Sequence, residues 1–218
     1  MSDFRGSGKT TFLDILAGLR RADGGEFLLD GKAFDPHAVD TLRRLLGYVP
    51  QNVTLIDESI GFNVSFERQP NAERLRQVAR AARIEGFIAS LPDGIETLVG
   101  ENGVRVSGGQ KQRIGIARAL YRDPQILIFD EATSSVDNVT EQELVTEIAA
   151  LSQTKTLIIV AHRLTTVARC DEIHVFDRGR VVGSGTHEQL MDTCPAYRLL
   201  YQAQDTAGGA APSAARAI

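Results

Sequence analysis

Six residues near the start of the chain, Gly6-Ser7-Gly8-Lys9-Thr10-Thr11, combine the side chains and spacing that grip phosphate. Glycines let backbone N–H groups approach phosphate oxygens, Lys9 can neutralise terminal phosphates, and the Thr10 hydroxyl can coordinate Mg2+. Alone, the cluster also fits a surface loop. Ile126-Leu127-Ile128-Phe129-Asp130-Glu131 is an apolar run ending in two carboxylates. A buried parallel strand of this kind delivers its last residues to the carboxyl edge of the sheet, where ligands bind. Asp130 can then hold Mg2+ through water, and Glu131 can orient and polarise an attacking water. Alone, the pair fits an acidic start to the next helix; beside a P-loop, the chemical reading takes precedence.

Ser107-Gly108-Gly109-Gln110 precedes the helical run Lys111 to Leu120. A serine and two glycines opening a helix offer unpaired N–H groups and a positive dipole to an anion, besides serving as an ordinary cap. This is a second phosphate site, and one chain has little use for two unless a partner's nucleotide fills one of them. His162 follows the strand-like Leu157 to Ala161, where a neutral imidazole can hydrogen-bond a phosphate oxygen or play a structural part. Gln51, after Val49-Pro50, is a polar loop residue or, on a shared sheet edge, a ligand of Mg2+ and water.

The elements that must position these residues are legible in outline. Phe12, Leu13, Leu16 and Leu19 recur at helical spacing before Asp23-Gly24-Gly25, predicting one helix with its end there. Glu26 to Leu29 followed by Asp30-Gly31 predicts a hairpin, because Asp-Gly suits a turn with positive φ angles. Gly47 to Gln51 reads as a short strand running into a loop. Leu75, Val78, Ala82, Phe87 and Ile88 predict two helices between Asn71 and Leu91, closed by Pro92-Asp93-Gly94. With the helix after Gly108 they form a helical subdomain at about 55–122. Strands at Ile126–Phe129, Leu157–Val160 and Ile173–Phe176 alternate with helical patterns at Glu141–Leu151 and Leu164–Ala168, which implies a parallel sheet. From Asp205 the composition turns to Ala, Gly, Ser and Pro, giving a globular domain over 1–204 and a disordered tail over 205–218.

Bulk properties narrow the function classes. The 218 residues are 43% hydrophobic, ordinary for a packed core, and the net charge of −4 gives no basic footprint for nucleic acid. Two cysteines without metal-ligand spacing, Cys170 and Cys194, read as packing thiols in a reducing compartment. No apolar run approaches the ~20 residues of a membrane-spanning helix, and the first residues lack a secretory pattern.

In order, these residues resemble the ABC ATPase family: the second half of Walker A at Gly6 to Thr11, the Q-loop at Gln51, and the signature at Val106 to Gln110. Walker B at Ile126 to Asp130 with Glu131, the D-loop Ser134-Ser135-Val136-Asp137 and the switch histidine His162 complete the set. The resemblance implies a RecA-like P-loop NTPase core with an inserted helical subdomain, and ATP with Mg2+ as cofactors. It implies roles as well. Lys9 and Ser107 hold the γ-phosphate, Thr10, Gln51 and Asp130 hold Mg2+, Glu131 orients the water, and His162 meets the transition state. Gly6, Ser7, Gly8, Thr11, Gly108, Gly109, Gln110 and Asp137 complete the nucleotide contacts. Two such domains pair head to tail, as a homodimer, with two ATP molecules between them.

Thr97 to Gly103 resembles the loop that touches the transmembrane helices in exporters, and Gly47 to Gln51 with Leu55 to Ile60 is exporter-like. Leu55 to Ile60 and Asp137-Asn138 also resemble flippases for lipid-linked oligosaccharides. The implied partner is the transmembrane domain of an exporter, absent from this chain, which would hold it at the cytoplasmic face of the plasma membrane. DNA-repair members of the family insert long coiled coils between Lys9 and Ser107, and ribosome-associated members carry two such domains; neither matches. Val106, Val136 and Asn102 depart mildly from the family pattern. The larger departure is Asp3, where the full P-loop has glycine. The expectation is a chain that begins inside its own phosphate loop, without its leading strand and most of the N-terminal β-subdomain. The alternative reading is a fragment with impaired ATP binding and no independent activity.

Overall fold

The computed structural model of the chain describes residues 8–34, 39–103, 105–132, 146, 148–160, 167–205 and 216–217. It divides into two units: Met1–Arg43 with Ile159–Ile218, and Arg44–Ile158.

In the first unit, α1 (Lys9–Leu16) follows Gly8 and buries only Leu13. Its end comes earlier than the apolar periodicity predicts. Gly18 takes φ 68°, its N–H reaches Ile15 O at 3.0 Å, and the Leu19 N–H reaches Asp14 O at 2.8 Å. This is a Schellman stop, in which a left-handed glycine turns the chain back on the last carbonyls. Leu19 is left outside the helix and exposed. The hairpin β1 (Leu28–Leu29) and β2 (Lys32–Ala33) is antiparallel as predicted, with Asp30 and Gly31 at φ 50° and 72°. α2 (Val39–Leu45) leads out of this unit.

Further along the chain, β6 (Ile173–Asp177) pairs antiparallel with β7 (Arg180–Gly185), and β8 (Arg216–Ala217) pairs with β6 on its other side. Thus β6 joins an antiparallel sheet. The sequence reading overlooked β7, because two glycines interrupt its pattern and its turn is Arg178-Gly179. Gly183 earns its place by packing: a Cβ there would lie 2.9 Å from Cys194 Sγ and 3.1 Å from Leu190 Cδ2. This lets α7 (His187–Thr193) and α8 (Pro195–Asp205) close over Ile173, Val175, Leu190 and Tyr197. Cys194 is buried and Cys170 half-buried, neither in a disulfide. Most of the expected tail, 206–215, lies outside the described residues.

Another sheet is ordered β3 (Leu46–Val49), β4 (Ile126–Asp130), β5 (Thr156–Val160), of which β3, β4 and the first three residues of β5 fall in the second unit. β3 and β4 are parallel, as expected, with Leu46 opposite Ile126 and Val49 opposite Phe129. Between them in sequence come α3 (Ile60–Ser65), α4 (Ala72–Ala81), α5 (Glu85–Ala89) and α6 (Gly108–Tyr121). Ser59 and Asn71 cap α3 and α4 by accepting from Phe62 N at 3.1 Å and Arg74 N at 2.9 Å. α6 can approach β3 because Gly47 has no side chain: a Cβ there would meet Leu127 Cδ2 at 2.7 Å and Ala119 O at 2.8 Å. Among the described residues no helix is long and apolar enough to cross a membrane.

Candidate functional site

The phosphate-loop residues sit at the N-terminus of α1 in the first unit. Gly8 adopts φ 90°, and a Cβ there would lie 3.0 Å from the Cα of Gly179 in the β6–β7 turn. Conformation and space therefore both require glycine at this point. Lys9 is the first helical residue and is half-buried, while Thr10 and Thr11 are exposed. The first N–H groups of α1 have no intrahelical acceptor, so they and the helix dipole favour an anion. Gly6 and Ser7 lie outside the described residues.

In the second unit the β3–β4 register brings Gln51 and the two carboxylates to one sheet edge. Val49 is level with Phe129, so Pro50 and Gln51 leave β3 where Asp130 and Glu131 leave β4. Asp130, the last residue of β4, is half-buried, and its Oδ2 accepts a 2.8 Å hydrogen bond from the Tyr48 hydroxyl. Glu131 takes φ 50°, a left-handed conformation that costs a non-glycine residue roughly 1–2 kcal/mol. Such strain is characteristic of functional positions, where it re-aims a side chain. Gln51 is exposed.

α6 carries the signature residues at its N-terminus. Ser107 Oγ accepts from Gln110 N at 3.2 Å, and Gln110 Oε1 accepts from Ser107 N at 2.8 Å, closing a capping box. A serine oxygen that accepts a bond still has its own O–H to donate. The N–H groups of Gly108 and Gly109, at the first two helical positions, are those an α-helix leaves for an external acceptor.

The same helix braces the loop that carries Gln51. The buried Gln112 donates to Pro50 O at 3.5 Å, and a Cβ on Gly115 would lie 2.5 Å from Val53 Cγ2. Arg118 donates to Asn63 O at 2.8 Å and to Thr54 O at 3.1 Å, with its guanidinium 4.9 Å above the Phe66 ring. Burial holds its pKa below the ordinary arginine value. Asn63, fully buried, accepts from Ile56 N at 3.0 Å and donates to Ile56 O and Ser59 O at 3.0 and 3.1 Å. Sequence reasoning missed Tyr48, Asn63 and Arg118. Only the strand register and the return of α6 onto a distant loop reveal them.

The donor types suit the expected cofactors. The Thr10 hydroxyl in the first unit, and the Gln51 amide and Asp130 carboxylate in the second, are each hard oxygen donors of a kind that Mg2+ accepts. The cradle at Gly8, which a Cβ would fill, suits close approach of backbone to phosphate. His162 and Asp137 lie outside the described residues.

Residues 5–134 match the sequence model of the family described as ABC transporter. The chain is 42% identical over 200 residues to an ABC transporter B family member 6 of Dictyostelium discoideum, covering 91% of this chain and 30% of that protein. It is 39% identical over 199 residues to an ATP-dependent lipid A-core flippase of Burkholderia pseudomallei, covering 91% of this chain and 33% of that protein. The flippase of Hahella chejuensis is 41% identical over 201 residues, with 91% and 34% covered. Among solved structures, that of a bacterial Atm1-family ABC exporter with ATP bound superposes with a TM-score of 0.83 at 37% identity, over 94% of this chain and 36% of that chain. The chain therefore spans about a third of the length of the relatives it matches.

Proposed function

The chain belongs to the ABC transporter family, and we propose that it binds and hydrolyses Mg2+·ATP to power export or flipping of a substrate across a membrane. The observation that carries this reading is the β3–β4 edge, where Gln51, Asp130 and Glu131 leave adjacent parallel strands together. Phosphoryl transfer to water asks a protein mainly for positioning and charge stabilisation, and these residues supply both. Lys9 neutralises the γ-phosphate, while Thr10, Gln51 and Asp130 hold the metal that screens its charge. Glu131 orients and polarises the attacking water. His162 is assigned to the transferring phosphoryl group and Asp137 to the nucleotide contacts.

Ser107 and the N–H groups of Gly108 and Gly109 serve the nucleotide of a second copy, in a head-to-tail dimer. The capping box supports this reading, since it fixes the serine while leaving its hydroxyl proton available. Transport itself belongs to the transmembrane domain of an exporter, with this domain at its cytoplasmic face; the relatives are about three times as long as this chain. The names of the bacterial relatives support a lipid as the cargo.

Titration of the purified chain with ATP tests the reading. Micromolar affinity in Mg2+ that weakens in EDTA is expected. Absence of Mg2+-dependent binding would favour the alternative in which this chain does not hold ATP by itself.

A further inference from the structure

We infer that Tyr48 is a positioning residue for the metal site: its phenol holds one oxygen of Asp130 and fixes the direction in which the other is presented. The inference rests on the ATP-site reading above and assigns a role to a residue outside the phosphate loop, signature and acidic strand end.

The geometry follows from the register. Tyr48 is opposite Ile128 in the parallel pair, and side chains alternate between faces, so Tyr48, Ile128 and Asp130 share one face. Asp130 lies two residues beyond Ile128, roughly 7 Å along the strand and 5 Å across, and a tyrosine side chain spans that diagonal. Its hydroxyl ends 2.8 Å from Oδ2. An ionised carboxylate has no proton to give, so the phenol is the donor, and a bond to a charged acceptor is stronger than a neutral one. Both ends stand on a rigid base. Val49, Leu127 and Phe129 are buried on the opposite face, and Gly47 admits α6 against it.

One oxygen, Oδ2, is thereby committed to Tyr48, and Oδ1 is left for the metal's water shell. Without the phenol, the carboxylate must be ordered at the moment of binding. Tyr48 also lies three residues before Gln51, so the same bond ties the root of the Gln51 loop to the end of β4.

The test measures ATP affinity, with Mg2+ and with EDTA, for the chain and for Tyr48→Phe, Asp130→Ala and the double variant, together with thermal midpoints. Tyr48→Phe is expected to reduce the Mg2+-dependent gain in affinity about three- to ten-fold, the worth of one hydrogen bond. Affinity in EDTA should stay as in the unaltered chain, and the thermal midpoint should fall by no more than the loss of one hydrogen bond. Asp130→Ala should abolish the gain, and Tyr48→Phe should then subtract nothing more, as expected of residues acting as a unit. Equal weakening with and without Mg2+, an intact gain, or additive losses in the double variant would each overturn the inference. An unaltered chain without any Mg2+-dependent ATP binding would instead overturn the ATP-site reading, and this inference with it.

Discussion

Gly8 and Gly179 meet backbone to backbone: a Cβ added to Gly8 would stand 3.0 Å from the Cα of Gly179. The phosphate loop therefore enters α1 against the turn of the β6–β7 hairpin. Gly8→Ala should destabilise the chain by about 1–2 kcal/mol from its φ of 90° alone, with more from the contact, and should weaken ATP binding. Gly24→Ala is the control, since nothing lies within 4 Å of a Cβ there. Urea denaturation and ATP titration check both; equal behaviour of the two variants would refute the assigned crowding.

Helix α6 and the Gln51 loop are in similarly close contact at Gly115 and Val53. Gly115→Ala should cost about 1–3 kcal/mol by overpacking, because the branched valine is stiff at χ1. Val53→Ala in the same chain should recover most of that loss. Thermal unfolding of the two single variants and the double variant reads the coupling, and additive losses would contradict it.

Asn63 holds the loop between Gln51 and α3 through Ile56 and Ser59, and itself lies beneath Arg118. Asn63→Ala removes the acceptor of the Ile56 N–H, a loss of about 1–3 kcal/mol, while Ile56 O and Ser59 O keep their bonds from Glu58 N and from the backbone N–H of residue 63. Destabilisation of at least that size is expected in urea, with increased amide exchange at Ile56. Unchanged exchange at Ile56 would mean that the loop is held by other means.

Ser107 has two proposed tasks that substitutions can separate. Ser107→Ala should lose about 1 kcal/mol of helix capping, whereas Ser107→Asp keeps an N-cap of equal rank. Placed against a partner's γ-phosphate, however, the aspartate is repulsive. Light scattering with ATP should show dimerisation weakened by Ser107→Asp despite its near-normal stability. Normal ATP-dependent dimerisation of that variant would argue against the head-to-tail arrangement.

Tyr197 supplies a pH dependence. It is buried and hydrogen-bonded to His187 Nδ1 at 2.9 Å, and its pKa is pushed up to about 12, first by burial and then by Tyr201 and Cys170. A folded-state pKa above the unfolded value of ~10 favours the protonated fold. Its stabilisation is thus complete below about pH 10 and is lost as pH rises toward 12. Thermal midpoints should fall more steeply between those values for the unaltered chain than for Tyr197→Phe. Parallel curves would show that this phenol does not govern the alkaline limit.

Local chemistry explains what could be read from the sequence. Asp30-Gly31, Ser107 and the apolar run ending at Asp130 act through their immediate neighbours, so each predicts its own turn, cap or strand. The end of α1 was misplaced because Leu19 continues the apolar period while Gly18 breaks the backbone; the glycine prevailed. β7 escaped notice because its glycines serve packing against α7, not turns. Tyr48, Asn63 and Arg118 owe their roles to partners far along the chain. Tyr48 becomes visible once β3 and β4 are aligned in parallel, for the residue two beyond its opposite number is then Asp130.

The central claim is ATP hydrolysis at the β3–β4 edge, and Glu131→Gln tests it most directly. The chain should hydrolyse ATP in Mg2+, and the variant should bind ATP with similar affinity while turning it over at least about 100-fold more slowly, the low end for loss of such a group. It should also accumulate as an ATP-bound dimer. Turnover by Glu131→Gln equal to that of the unaltered chain would contradict the account.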